Sequence, residues 1–336
     1  MRLEDLDYPL PPEAIAQHPI EPRDAARLLV DGGPGRAATH RHVRDLPELL
    51  QDGDLLVVND SRVIPARLHL RRETGGAVEI LLLEALDDEH RRWECLARPA
   101  RRLTRGESLL GPDGRPFLVV GPRTEAGDTL TVELCADDPL AALTAVGEAP
   151  LPPYITAPLA DPERYQTVYA QRPGSAAAPT AGLHLTVDLL DALTGAGVPL
   201  ARVELVVGLD TFQPVSEDDP TRHRIHSERY RVPPATLEAC RDATRVVAVG
   251  TTAVRALESA AVGPAAGRTR LFIHGPYQWQ LVDLMLTNFH LPRTTLLMMI
   301  DAFVGSRWRD LYAMALADGY RFLSFGDAML LQRGGA

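Results

Sequence analysis

The sequence contains no lysine, so all 35 of its basic residues are arginine. That excludes a Schiff-base lysine and a phosphate loop of the Walker type, because both need the amine. Cysteine is almost as scarce: Cys95, Cys135 and Cys240 lie far apart and form no Cys-x-x-Cys pair. Disulfides and thiolate metal sites are therefore not expected. No apolar run approaches the ~20 residues of a membrane span. The first ten residues show no secretory pattern, so a cytoplasmic enzyme is expected. An excess of positive charge is also missing. A net charge of −10 argues against non-specific nucleic-acid binding over the whole surface, though a local basic face stays open.

A hydrophobic content of 45% over 336 residues suits two domains, or one large domain with an insertion. The run 54–58 (Asp-Leu-Leu-Val-Val) is continuous and apolar, as expected of a strand buried on both faces. Similar runs stand at 203–207, 246–249 and 269–273, with helices expected at 161–171, 187–193, 253–259, 294–305 and 308–317. Between about 67 and 149 the texture changes to short alternating runs (68–70, 77–83, 93–97, 117–120, 130–134) separated by Gly- and Pro-containing turns. Such spacing reads as a small antiparallel barrel or sandwich. Its arginines, Arg101 and Arg102 among them, suit an RNA backbone as well as a solvated face. The expected architecture is α/β: a large discontinuous domain (1–67 and 150–336) carrying an inserted small antiparallel β-barrel (68–149).

Polar residues gather at the ends of these runs. Asn59-Asp60-Ser61-Arg62 and Arg67 follow the first buried strand, where a polar ligand or an ordinary turn would both be served. Gly250-Thr251-Thr252 opens the helix that holds Arg255; free N–H groups there suit a carboxylate or phosphate, and simple capping is the alternative. His223, His226 and Glu228 form another cluster, without a familiar metal spacing. Thr287-Asn288-Phe289-His290 and Arg293 precede a further helix. In Gly174 to Thr186, ten of thirteen residues are Gly, Ala, Ser, Pro or Thr, set around the single ring of His184. That stretch reads either as a small-residue connection or as a bed for a flat substrate.

Taken together, the blocks 59–67 (Asn-Asp-Ser-Arg-Val-Ile-Pro-Ala-Arg), 179–184 (Pro-Thr-Ala-Gly-Leu-His), 226–228 (His-Ser-Glu), 249–252 (Val-Gly-Thr-Thr), 287–292 (Thr-Asn-Phe-His-Leu-Pro) and 326–329 (Gly-Asp-Ala-Met) closely resemble the S-adenosylmethionine:tRNA ribosyltransferase-isomerases of the queuosine pathway. They follow the family's order along nearly the whole chain. The resemblance implies an α/β domain with an inserted barrel. It also implies transfer and isomerisation of the ribosyl part of S-adenosylmethionine onto 7-aminomethyl-7-deazaguanine at the tRNA wobble position, giving epoxyqueuosine with loss of adenine and methionine. The sequence departs from the family pattern at Leu185, Asp210, Arg229 and 274–277.

That chemistry asks for one or two acid–base groups and for no metal or cofactor beyond S-adenosylmethionine, which is consumed. A sulfonium acidifies the neighbouring ribose methylene, adenine needs a proton donor, and the incoming amine must lose a proton. His184, His290, Glu228 and Asp60 are the candidates, with His184 the first for the base. Asn59, Arg62, Arg67, Thr180, Gly182, Gly250, Thr251, Thr252, Arg255, Thr287 and Asn288 are the expected substrate contacts. Two other functions stay open on sequence: an S-adenosylmethionine-dependent RNA methyltransferase and a non-catalytic tRNA-binding protein. The first would want a Gly-x-Gly loop after its first strand, where Asn-Asp-Ser-Arg stands instead.

Overall fold

The apolar run after Gly53 forms the middle of a nine-stranded sheet. A computed structural model describes residues 2–124, 129–207, 217, 219–223 and 225–334. Asp210 lies outside the described residues. The chain opens with the hairpin β1 (Arg27–Val30) and β2 (Thr39–His42), the short helix α1 (Leu46–Leu49) and β3 (Asp54–Asn59), whose six residues are all buried. After β4 (Ser61–Val63), six strands close into an antiparallel barrel: β5 (Arg67–Arg72), β6 (Ala77–Ala85), β7 (Arg92–Arg98), β8 (Ser108–Leu110), β9 (Pro116–Arg123) and β10 (Leu130–Leu134). Helix α2 (Pro139–Val146) follows, and β11 (Arg172–Ser175) returns to pair with β4.

The remaining elements complete the large sheet and its covering layers. They are α3 (Val187–Gly195), β12 (Leu200–Leu205), β13 (Glu228–Arg231), α4 (Pro234–Asp242), β14 (Arg245–Val249), α5 (Gly250–Val262), β15 (Ala266–Thr269), β16 (Leu284–Asn288), α6 (Thr295–Val304), α7 (Arg307–Ala317) and β17 (Ala328–Gln332). Strand order is β15-β13-β12-β3-β14-β16-β17-β1-β2, and β12, β3, β14 and β16 are parallel neighbours.

A strand with helices on both faces must bury both sets of side chains. Leu55 and Val57 of β3 enter one core with Val246 and Ala248 of β14, under α5, α6 and α7. Leu56 and Val58 enter the opposite core with Val247 and Val249, under α1 and α3. The barrel has its own core, with Trp93 fully buried among Leu68, Ile80, Leu82 and Leu118. The inserted barrel on an α/β domain is thus the architecture that the patterning predicts.

Two expected elements differ. The helix expected over 161–171 is a single 3₁₀ turn, Pro162–Tyr165, after which the chain extends. Tertiary pairing wins there: the Gln166 amide exchanges hydrogen bonds with both backbone groups of Val63, at 2.7 and 3.0 Å. The strand expected over 269–273 ends at Thr269. Beyond it, side chains capture the backbone: Leu271 N donates to Thr269 Oγ1 (3.0 Å), and Leu271 O accepts from Arg255 Nε (3.0 Å). No helix among the described residues is long and apolar enough to cross a membrane.

Candidate active site

The parallel strands β12, β14 and β16 end on one edge of the sheet, and an open sheet binds ligands beyond the carboxyl ends of its strands. A cleft lies there, lined by Val207 after β12, by Gly250, Thr251 and Thr252 after β14, and by Asn288 and His290 at the end of β16. Pro179 and Thr180 form a further wall. Gly250 has a φ of +84°, a left-handed value that turns the chain sharply from strand into helix. No side chain caps α5, and the N-cap residue is Val249. Its first-turn N–H groups therefore remain at a positive helix end facing the cleft. The Thr251 hydroxyl makes no hydrogen bond among the described residues, and Thr252 Oγ1 is buried without a partner. The threonines do not cap the helix; their hydroxyls are left for a ligand.

Opposite them, Asn288 and His290 are fixed from behind. Tyr312 Oη accepts from His290 N (3.0 Å), and the Tyr8 hydroxyl donates to His290 O. The ring Nε2 meets Thr287 Oγ1 at 3.1 Å. Burial pushes His290 down to about 4, so the ring is neutral at pH 7. Asn288 Oδ1 accepts from Thr180 Oγ1 (3.2 Å), while its Nδ2 donates to His184 Nε2 (3.1 Å) and to Leu323 O (3.2 Å).

His184 therefore stands behind the cleft wall rather than in it. An amide nitrogen can only donate, so His184 Nε2 accepts, and its lone pair is already in use. Burial lowers its pKa to about 4, with Arg321, Arg23 and Arg164 adding to the shift. The stretch 174–186 supplies structure around this ring. Ser175 Oγ donates to Ala177 O (2.7 Å), and residues 180–184 form a buried 3₁₀ turn. Gly182 is needed for packing: a Cβ there would come within 1.9 Å of Tyr169 Oη.

The other expected residues separate into three groups. Glu228 and Arg255 form a buried ion pair that lines an adjacent cavity together with Thr251 and Thr252. The remaining Arg255 donors reach Leu271 O, His226 O and Thr269 O. Asn59 is committed to the sheet, accepting from Ser61 N and Leu205 N and donating to Leu205 O. Asp60 does not line the cleft: its Oδ2 pairs with Arg172 (3.6 Å) while Oδ1 is buried without a partner, and burial raises its pKa against the opposing pull of that guanidinium. Arg62 pairs with Glu163 at 2.7 Å, Arg67 opens barrel strand β5 and exchanges backbone bonds with Glu148, and Arg293 pairs with Asp7.

Sequence reasoning missed Tyr154 and the segment 323–324. Tyr154 lines the cleft and bonds Ser324 Oγ at 2.8 Å, and Leu323, at φ +68°, presents its carbonyl to Asn288. The signal was the neighbouring Gly326-Asp327, whose carboxylate accepts from Arg27 N and Arg321 N and pins this loop.

Residues 3–331 match the family described as queuosine biosynthesis protein. Among curated relatives, the chain is similar to the S-adenosylmethionine:tRNA ribosyltransferase-isomerases of Symbiobacterium thermophilum (50% identical, covering 98% of this chain and 100% of the relative) and Thermus thermophilus (51%, covering 98% and 99%). It is also similar to the crystal structure of S-adenosylmethionine tRNA ribosyltransferase from Thermotoga maritima. There the TM-score is 0.55 at 37% identity, over 97% of this chain and 99% of that one.

Proposed function

The chain belongs to the queuosine biosynthesis protein family, and from that premise we propose that it is an S-adenosylmethionine:tRNA ribosyltransferase-isomerase. It moves the ribosyl part of S-adenosylmethionine onto 7-aminomethyl-7-deazaguanine at the wobble position of tRNA, isomerises it to the epoxycyclopentanediol, and releases adenine and methionine. A tRNA substrate puts the reaction in the cytoplasm. The observation that carries this reading is the cleft beyond β12, β14 and β16, where uncapped helix N–H groups, two unpartnered threonine hydroxyls and a neutral imidazole face one space.

The residues divide the work by chemistry. The α5 N-terminus with Thr251 and Thr252 suits the methionyl carboxylate, since an anion gains there from both hydrogen bonds and the helix dipole. His290 is the group that takes up the ribose methylene proton beside the sulfonium: it lines the cleft and is uncharged at neutral pH. Asn288 offers the second lone pair of its Oδ1 to a ribose hydroxyl, and its bonds to His184, Leu323 and Thr180 hold the amide in orientation. The sulfonium supplies the activation, so the reading asks for no metal.

Mass spectrometry of modified tRNA after incubation with the purified protein and S-adenosylmethionine tests this. A mass gain on the tRNA with free adenine and methionine is expected. S-adenosylhomocysteine in their place would make the protein a methyltransferase. Binding of tRNA with S-adenosylmethionine left intact would make it a binding module.

A further inference from the structure

The reactive cleft is one of three cavities that share walls. Thr251, Thr252 and Leu296 line both it and a second cavity, while Ile225, Glu228 and Phe272 line both the second and a third. The third lies at the seam between sheet and barrel, where Arg268 of β15 pairs across to Glu84 of β6 at 2.5 Å. Its volume of about 770 Å³ is far larger than the roughly 40 Å³ of the second cavity, and lies within the roughly 300–1,000 Å³ of a pocket that holds a guest of nucleotide size. A site that passes from a wide seam through a narrower cavity to a reactive cleft suits a residue still attached to a polymer.

We infer that the seam cavity receives the modified nucleotide of the tRNA, with its base stacked on Phe272 and its phosphate held by Arg270. The inference rests on the proposed function and adds where the nucleotide lies relative to S-adenosylmethionine. Chemistry on a base requires it to leave its stack and enter a pocket that offers an aromatic face. Phe272 is half-buried, lines both outer cavities and is braced by the His274 ring, whose centroid is 4.6 Å away. Arg270 is exposed and has no ion pair or hydrogen bond among the described residues, unlike Arg268 beside it. The mixed charge of the cavity fits such a guest. Guanidinium groups suit the phosphate, and the carboxylates of Glu84 and Glu228, paired with Arg268 and Arg255, have further acceptor sites that suit the N–H donors and aminomethyl cation of the deazaguanine.

The test compares wild type with Phe272→Ala, Phe272→Tyr and Arg270→Ala, using tRNA that carries 7-aminomethyl-7-deazaguanine and following adenine release. Calorimetry of S-adenosylmethionine binding reports on the neighbouring cleft and shows that each variant is folded. Phe272→Ala should raise KM for tRNA at least about fivefold with unchanged S-adenosylmethionine affinity, and Phe272→Tyr should restore most of it. Arg270→Ala should lower the slope of tRNA binding against salt by about one. If Phe272→Ala leaves tRNA KM unchanged, or weakens S-adenosylmethionine by the same factor, the assignment is overturned. Absence of adenine release by the wild type would instead sink the proposed function, and the inference with it.

Discussion

At the residue scale, two buried histidines that look alike in sequence have different surroundings. His290 lines the cleft, and its Nε2 meets a hydroxyl that can accept from it, which leaves Nδ1 to take up a proton, whereas His184 Nε2 must accept from Asn288. We expect His290→Ala to cut kcat about 100-fold or more, the usual cost of removing a general base. His184→Ala should act mainly on KM for S-adenosylmethionine through Asn288. Turnover of His184→Ala within about threefold of wild type would exclude it as the base; a larger loss than for His290→Ala would reverse the assignment. Both rings also bear on stability. Each is held near pKa 4, against an ordinary value of 6.5. Below pH 6.5 the unfolded chain takes up protons that the folded rings refuse, so stability falls as pH falls toward 4. Each histidine should cost about 1 kcal/mol at pH 5.5 relative to pH 7.5, read by urea unfolding at the two values. Equal stability at both would contradict the burial. The histidines and threonines of the cleft were legible as residue types in a motif; which of them faces the substrate was not.

At the scale of elements, α5 carries the site on its first turn and is anchored further along. Glu258 is fully buried in this helix and accepts from the backbone N–H groups of Gln280, Leu281 and Val282, at 2.9 to 3.0 Å. The Tyr277 hydroxyl also donates to it (3.3 Å). One side chain thus fastens the helix to the loop that leads into β16, the strand bearing Asn288. Glu258→Ala would leave the buried Val282 N–H and the part-buried Leu281 and Gln280 N–H groups without their acceptor, so a loss of about 2 kcal/mol or more is expected in denaturant unfolding. A loss below about 1 kcal/mol would show that the loop finds other acceptors. Glu258 drew no attention in sequence, because a Glu in an Ala-rich helix looks solvated; its role comes from a loop twenty residues later. The 3₁₀ turn at 162–165 makes the same point from the other side. The local signal, Pro after Asp, starts a helix, and the Gln166–Val63 pairing stops it.

At the scale of the whole molecule, charge is unevenly placed. The chain carries −10 overall, yet Arg98, Arg101, Arg102 and Arg105 on the barrel are exposed and their side chains have no ion pair or hydrogen bond among the described residues. A cluster of unpaired guanidiniums on an acidic protein suits an RNA backbone, and each phosphate contact contributes to the salt dependence. Replacing Arg101 and Arg102 together by Ala should weaken tRNA binding and lower the magnitude of the log–log salt slope by about two. An unchanged slope would move the RNA face elsewhere, the sheet–barrel seam being the next place to look.

The sequence by itself determined the α/β class, the barrel inserted between β4 and β11, and the family. These rest on local periodicity and on contiguous motifs, both of which are written along the chain. Tertiary structure decided which polar residues share a space. Asn59 stands at the end of a buried strand, as a ligand site would require, but it is tied to β12, and its neighbour Asp60 is drawn to Arg172 through Oδ2 with Oδ1 left buried and without a partner. The stretch from Gly174 to Thr186, with its small residues around one histidine, is the wall that orients Asn288. The physical reason is common to these cases: a polar side chain acts on a ligand only if nothing in the fold has already satisfied it, and its partners arrive from more than a hundred residues away.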